Sequence, residues 1–353
     1  MSLDEWRSRI NDLDRQILDL VNQRAAAALR IGELKRQAEL PYYVPEREAE
    51  VIAHLLSVNS GPFPADGIRA VWREILSASL ALEHPLPVAY LGPPATFTHQ
   101  AAQLRFGSSS SFAPSKGIGE IFDAVEKGQA EFGVVPVENS TEGSVNVTLD
   151  RLMDSPLLIT GEILLEVTHH LLSRAPELSA IRTVCSHPQA LAQCRQWLAV
   201  NLPEAATVEV SSTAAAAERA AGDPTAGTIA SELAAQLYGL PILRRRIEDN
   251  PSNSTRFLVV GRRAVAPSGK DKTSILCSIK HEVGALAKFL EPFARHGLNL
   301  TKIESRPTKR RPWEYVMFID FEGHRDTPTV EAVLAQIRER TQFLKVLGSY
   351  PAA

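Results

Sequence analysis

The sequence predicts a multidomain chain of 353 residues: all-α over 1–84, two-lobed α/β over 87–265, and an α+β ferredoxin-like plait over 268–353. Three observations carry that reading. Trp6, Ile10, Leu13, Ile17, Leu20, Ala27, Ile31 and Leu34 recur at alternating spacings of three and four, the stripe of one long helix. Between 87 and 265, short β-type apolar runs alternate with helical patterns, which implies a mostly parallel sheet. Beyond 268 the order is β-α-β-β-α-β.

Element by element, the first helix runs from residue 3 to about 39, where Pro41 stops it. At 1.5 Å per residue it is roughly 55 Å long. One small domain cannot cover such a rod, so a second copy of the chain is expected to bury its stripe. Pro45 opens a second helix to about residue 57, Asn59-Ser60-Gly61-Pro62 breaks the chain, and a third helix covers 65–83. Pro85 and Pro87 mark a linker. In the α/β region, strands are expected at 88–91, 132–135, 181–185, 208–210, 228–230 and 257–260, with helix starts near Thr98 and at Pro188. In the plait, strands fall at 273–279, 299–304, 315–321 and 346–350, and helices at 285–295 and 328–340.

Composition excludes several classes. Hydrophobic content of 44%, charged content of 22% and a net charge of −3 suit a soluble globular protein. Residues 268–353 carry fourteen Lys/Arg against ten Asp/Glu, too even for a nucleic-acid footprint. The cluster Lys309-Arg310-Arg311 reads as a solvated loop. Cys185, Cys194 and Cys277 show no CxxC and no zinc spacing, so buried reduced thiols are expected and neither metal nor cofactor is implied. No secretory pattern opens the sequence and no apolar run approaches a membrane span, which points to the cytoplasm.

The chemistry starts at Arg24, which sits midway between Leu20 and Ala27 in the apolar stripe. A guanidinium there must meet an anion or a carboxylate, because an unpaired buried charge is costly. Lys35 falls within about 20° of the same face. The two cations imply an interior pocket for an acidic small molecule. Arg7 is about 42 Å from Lys35 along the helix, so only an antiparallel partner helix brings Arg7 beside Arg24 and Lys35 of the other chain. In the α/β region there is no GxGxxG, P-loop or GxSxG. Five polar turns stand at strand ends instead: 92–97, 137–143, 186–189, 211–213 and 253–257. Amides and hydroxyls of this kind make anion cradles, so a cleft for a carboxylated ligand is expected.

Residues 1–84 resemble the all-helical chorismate mutases, in the run Arg7, Arg24, Lys35, Arg47-Glu48, Ser79 and a polar residue at 83. The resemblance implies an intertwined dimer that rearranges chorismate to prephenate without a covalent intermediate. Guanidinium forks suit two substrate carboxylates, and Lys35 suits the charge that develops on the breaking ether oxygen. By the same resemblance Arg7 comes from the other subunit, Glu48 holds the substrate hydroxyl and Ser79 contacts a carboxylate. Two positions depart from the pattern. Val44 replaces a polar or basic side chain, leaving only a backbone contact. Glu83 replaces glutamine and would have to be protonated to donate to an ether oxygen.

"VPVENSTEG", "SHPQALAQC" and "NSTRF" resemble the prephenate dehydratases, whose fold is two lobes like a periplasmic binding protein. The implied reaction expels CO2 and the C4 hydroxyl of prephenate to leave phenylpyruvate. Thr255 would lie near that hydroxyl, Arg256 would clamp a carboxylate, and Asn139, Ser186 and Gln193 would line the pocket. A water or Glu138 would supply the proton, and His187 is either an acid or a helix cap. Gly284-Ala285-Leu286 and Glu304-Ser305-Arg306 resemble the two phenylalanine-binding motifs of ACT regulatory domains, which implies feedback inhibition at a subunit interface. The competing reading is a non-catalytic amino-acid sensor with the same modules, and the full settings of Arg24, Glu48 and Thr255 argue against it. A mutase joined to a dehydrogenase lacks its nicotinamide fingerprint here.

Overall fold

A computed structural model of the chain describes residues 2–280, 282–307 and 315–353. The Lys309-Arg310-Arg311 cluster lies outside the described residues. The chain divides into two compact units, residues 1–87 with 103–111, and residues 88–102 with 112–353.

Three helices make most of the first unit: α1 (Leu3–Gln37), α2 (Pro45–Val58) and α3 (Ala65–Glu83). A capping box opens α1, with the Ser2 hydroxyl accepting from the Glu5 N–H and the Glu5 carboxylate accepting from the Ser2 N–H. Within the one chain described, the stripe expected on α1 is not covered. Trp6, Ile10, Leu13, Ile17, Leu20, Ile31 and Leu34 are all exposed, by 42–64%. Within one chain α1 is longer than its neighbours can cover, and only Ala28 and Gly32 on it are buried. At Gly32 a Cβ would stand 3.0 Å from Glu83 Cγ, so the glycine lets Glu83 lie against α1.

The second unit begins with β1 (Pro87–Leu91), α4 (Phe97–Phe106), β2 (Ser111–Ser115), α5 (Ile118–Glu126) and β3 (Phe132–Asn139). The chain goes on through β4 (Gly143–Ser144), α6 (Asn146–Asp154) and β5 (Leu158–Glu166). It then builds a second lobe from β6 (His170–Ser173), β7 (Thr183–Ser186), α7 (Pro188–Gln193), α8 (Arg195–Asn201) and β8 (Ala206–Glu209). That lobe is completed by α9 (Thr213–Ala221), β9 (Ala226–Ala230), α10 (Glu232–Tyr238) and β10 (Ile242–Arg244), and β11 (Ser254–Gly261) returns to the first. The strand orders are β2-β1-β3-β11-β5 and β10-β6-β9-β7-β8.

Both sheets are mixed, which corrects the mostly parallel expectation. β1–β3, β7–β8 and β7–β9 are parallel, whereas β11 runs antiparallel to β3 and β5, and β6 to β9 and β10. The cause is the return path: β11 re-enters the first sheet from the far lobe and so runs against its neighbours. The two crossings are tied together, the Ile247 N–H donating to the His169 carbonyl at 2.8 Å and the His169 N–H to Glu248 Oε2 at 2.9 Å.

The plait comprises β12 (Asp271–Ile279), α11 (Ala285–Arg295), β13 (Leu300–Pro307), β14 (Tyr315–Glu322), α12 (Pro328–Arg340) and β15 (Thr341–Pro351). Its order is β13-β14-β12-β15, antiparallel throughout. Phe289, Phe293, Val333 and Ile337 of the helices cover one face, over Ile275 and Phe321. The opposite face (Leu276, Phe318, Leu347, Tyr350) joins the core of the first lobe with Val135, Leu258 and Val260. Gly348 permits this approach, because a Cβ there would collide with the Ile159 backbone.

Candidate functional site

In the helical unit one cavity of about 470 Å³ is lined by Arg24, Lys35, Val44, Arg47, Glu48, Ser79 and Glu83. Arg7 is absent from it, exposed and paired with Asp4 at 3.5 Å. Helix spacing explains the assembly. Arg24 and Lys35 lie on the α1 face that meets α3, where Ser79 and Glu83 follow one another at i and i+4. Arg24 Nη1 donates to Ser79 Oγ at 3.0 Å, and Ser79 in turn donates to the Ile75 carbonyl at 2.7 Å. Lys35 Nζ donates to the Tyr42 carbonyl at 2.7 Å and stands 3.6 Å from Glu83 Oε2. Burial pushes the Glu48 carboxyl up from its ordinary value, an effect opposed by Arg105, the Tyr43 phenol and Arg73. The lining thus holds three cations and two carboxylates, of which Arg47 is largely exposed and paired with Glu50 at 2.9 Å.

The cleft of the second unit, about 280 Å³, draws on all five polar turns: Thr96, Asn139, His187, Ser212 and Thr255 each come from a different one. It opens at the carboxyl ends of β1, β3, β7 and β8, where open α/β sheets place ligands. A hydrogen-bonded chain runs through it. Asn139 Nδ2 donates to Thr255 Oγ1 at 2.8 Å and to Asn253 Oδ1 at 2.9 Å. Asn253 Nδ2 donates to Gln193 Oε1 at 3.1 Å, and that oxygen also meets His169 Nε2 at 2.8 Å. Because Thr255 Oγ1 accepts from Asn139, its own proton is available to a ligand. Burial pushes the His169 imidazole down, so it is held neutral. His187 is the cap of α7, its Nδ1 accepting from the Gln189 N–H at 3.3 Å.

Four expected ligand groups are corrected. Arg256 lies on the opposite face of β11 from Thr255, where it donates to Glu162 Oε2 at 2.7 Å, Asp320 Oδ2 at 2.6 Å and the Tyr350 hydroxyl at 3.0 Å. Its fork is committed to protein carboxylates and does not reach the cleft. Ser186 is fully buried and donates to the Ile229 carbonyl at 2.6 Å. Glu304 and Arg306 face inward on β13, Glu304 accepting from Ser144 at 2.6 Å and Arg306 pairing with Asp150 at 2.6 Å. The alternation of a strand leaves Ser305 outward between them. Glu138, offered as a proton source, is also turned from the cleft and accepts from Lys302 at 2.8 Å.

Gly284, in the left-handed region at φ 75°, caps α11 ahead of Ala285 and the half-exposed Leu286. Ala285 borders a polar surface cavity with Lys288, Glu291 and Arg340, and one chain does not bring the 284–286 and 304–306 motifs into a common pocket. Residues without a role expected from the sequence include Tyr42, Tyr43 and Phe106 in the helical cavity and His169 in the cleft, where Phe97 of the first polar turn and Thr98 of the helix start also stand. The Tyr42-Tyr43 pair between Pro41 and Pro45 carried a signal. His169 carried none. Among the described residues no helix is long and apolar enough to cross a membrane.

The family model for chorismate mutase type II matches residues 6–84, that for prephenate dehydratase 88–265 and that for the ACT domain 273–339. The bifunctional chorismate mutase/prephenate dehydratase of Aquifex aeolicus is 52% identical, covering 99% of this chain and 98% of its own. That of Pseudomonas aeruginosa is 46% identical over 98% and 97%. Among solved structures, prephenate dehydratase from Arthrobacter aurescens in complex with L-Phe is similar with a TM-score of 0.69 and 36% identity, over 75% of this chain and 90% of its own. GqqA, described as a quorum quenching acylase, matches equally well at a TM-score of 0.69 and 31% identity, over 76% and 98%, so this fold alone does not choose a chemistry.

Fold and sites define a class, a multimodular enzyme of small carboxylic acids joined to an amino-acid-sensing plait. Within that class, full-length identity decides: the chain belongs to the bifunctional chorismate mutase/prephenate dehydratase family.

Proposed function

We propose that residues 1–84 rearrange chorismate to prephenate, that residues 87–265 convert prephenate to phenylpyruvate, and that residues 268–353 bind phenylalanine and inhibit. The observation that carries the mutase assignment is the meeting of Arg24, Lys35, Arg47, Glu48, Ser79 and Glu83 around one cavity. Arg24 and Arg47 hold the substrate carboxylates, Lys35 and a protonated Glu83 address the ether oxygen, and the Val44 backbone and Glu48 orient the ring. Arg7 enters from a second copy of the chain, whose α1 stripe covers the exposed one. The assembly works in the cytoplasm as a homodimer at least.

In the cleft, the Thr255 hydroxyl hydrogen-bonds the C4 hydroxyl, which takes a proton from water and leaves as water while the C1 carboxylate leaves as CO2, the electron pair of the broken C–C bond completing the aromatic ring. Aromatisation drives the step, so the chain mainly holds the dianion and directs one proton. With Arg256 engaged elsewhere, the dianion is held by N–H and hydroxyl groups, chiefly Ser211 to Thr213 at the start of α9. The L-Phe complex of the Arthrobacter relative supports phenylalanine as the regulator. Its ligand would contact the 284–286 backbone and Ser305 across two chains. The test is purified protein on chorismate and on prephenate, with and without phenylalanine. Thr255→Ala abolishes dehydratase turnover and leaves the mutase intact. Retained dehydratase activity in that variant removes the assignment, and loss of both activities marks global damage.

A further inference from the structure

The cavity of the helical unit has one wall from outside the mutase-matched residues. Phe106 lines it, although the mutase match ends at residue 84 and the dehydratase match begins at 88. Residues 103–111 belong to the same compact unit as α1, α2 and α3. Two contacts seat the turn on α3. Gly107 has φ 72°, and a Cβ there would collide with Ser77 Cβ and lie 2.6 Å from its Oγ, so only glycine lets the backbone approach. Ser108 donates twice to Glu74 Oε2, from its N–H at 2.9 Å and its Oγ at 2.6 Å. Phe106, 4% exposed, packs its ring against Tyr43 with centroids 5.6 Å apart.

We infer that this turn is a working part of the mutase site, with Phe106 as an apolar wall for the bound substrate. The inference rests on the reading of the cavity as the chorismate site. The chemistry asks for such a wall. A rearrangement of this kind requires the side chain of a carbocyclic diacid to fold over its ring, and cations grip only the carboxylates. The hydrocarbon part needs a dry, rigid surface, which an immobilised phenylalanine supplies.

The experiment uses the full-length protein, with mutase and dehydratase kinetics measured separately. Turnover of chorismate by the unmodified protein tests the underlying reading, and its absence ends that reading alone. Given turnover, Phe106→Ala raises the mutase KM about tenfold while dehydratase kcat/KM stays within about twofold. Should Phe106→Ala damage both activities, Phe106→Leu decides: a raised mutase KM with intact dehydratase supports the inference, and unchanged kinetics overturn it.

Discussion

Thr255 and Arg256 are neighbours in the chain and serve different parts of the molecule. On β11 the first faces the cleft and the second faces the plait. The same step separates Asn139 from Glu138 on β3, and Ser305 from Glu304 and Arg306 on β13. A motif reads such neighbours as one string, whereas the pleat sends alternate side chains to opposite faces. At this scale the most informative single group is Glu83, beside Lys35 and packed over Gly32. A carboxylate cannot donate to an ether oxygen, whereas an amide can. Glu83→Gln supplies a permanent donor and raises mutase kcat/KM, and an unchanged value in that variant would remove the role.

β5, β11, β12 and β14 meet at a buried ionic cluster behind the face of β11 that carries Thr255. Glu162 receives Arg256 at 2.7 Å and Lys272 at 2.7 Å, and Asp320 receives Arg256 at 2.6 Å. Burial alone would raise the Glu162 carboxyl, yet Arg256 and Lys272 hold it below its usual 4.5. Its contribution to stability is therefore complete above pH 4.5 and is lost as pH falls through the lowered folded value. Arg256→Ala takes the buried cation from Asp320 and leaves Glu162 with Lys272 alone, which costs about 3–5 kcal/mol at neutral pH. Urea unfolding against pH checks both statements: the variant loses midpoint at pH 7 and shows a weaker decline below pH 4.5. A variant midpoint at the wild-type level would show that the cluster contributes little. β5 went unseen in the sequence for a related reason, since Gly161 and Glu162 interrupt its apolar run and the partners of Glu162, Arg256 on β11 and Lys272 on β12, come from far along the chain.

For the whole molecule, the exposed stripe of α1 is the largest unsettled surface. Seven large apolar side chains on one 35-residue helix lie open to water, and Arg7 stands far from the cavity along that same helix. A second copy satisfies both facts at once, covering the stripe and delivering Arg7. Mixing supplies the measurement. Arg7→Ala and Arg24→Ala proteins are each inactive as mutases, but after joint refolding half of the sites in each mixed dimer are intact. Activity then recovers to about a quarter of wild type, the statistical value for random pairing of a two-site dimer. Mixtures that stay inactive would place Arg7 outside the partner's cavity.

The amino-acid sequence by itself determined the three helices, the plait and the gathering of Arg24, Lys35, Ser79 and Glu83. Those features depend on periodicity within a segment, and α3 and both plait helices end where their caps and prolines place them. Five separate polar turns likewise announced a cleft, because helix starts and strand ends carry local chemistry. Only the tertiary structure decided that Arg256, Ser186, Glu304 and Arg306 serve the interior, that the sheets are mixed and that Phe106 joins the helical cavity. Which face of a strand looks at a ligand, and which distant turn closes a pocket, follow from long-range packing. Such contacts form between residues far apart in the chain, and no local pattern encodes them.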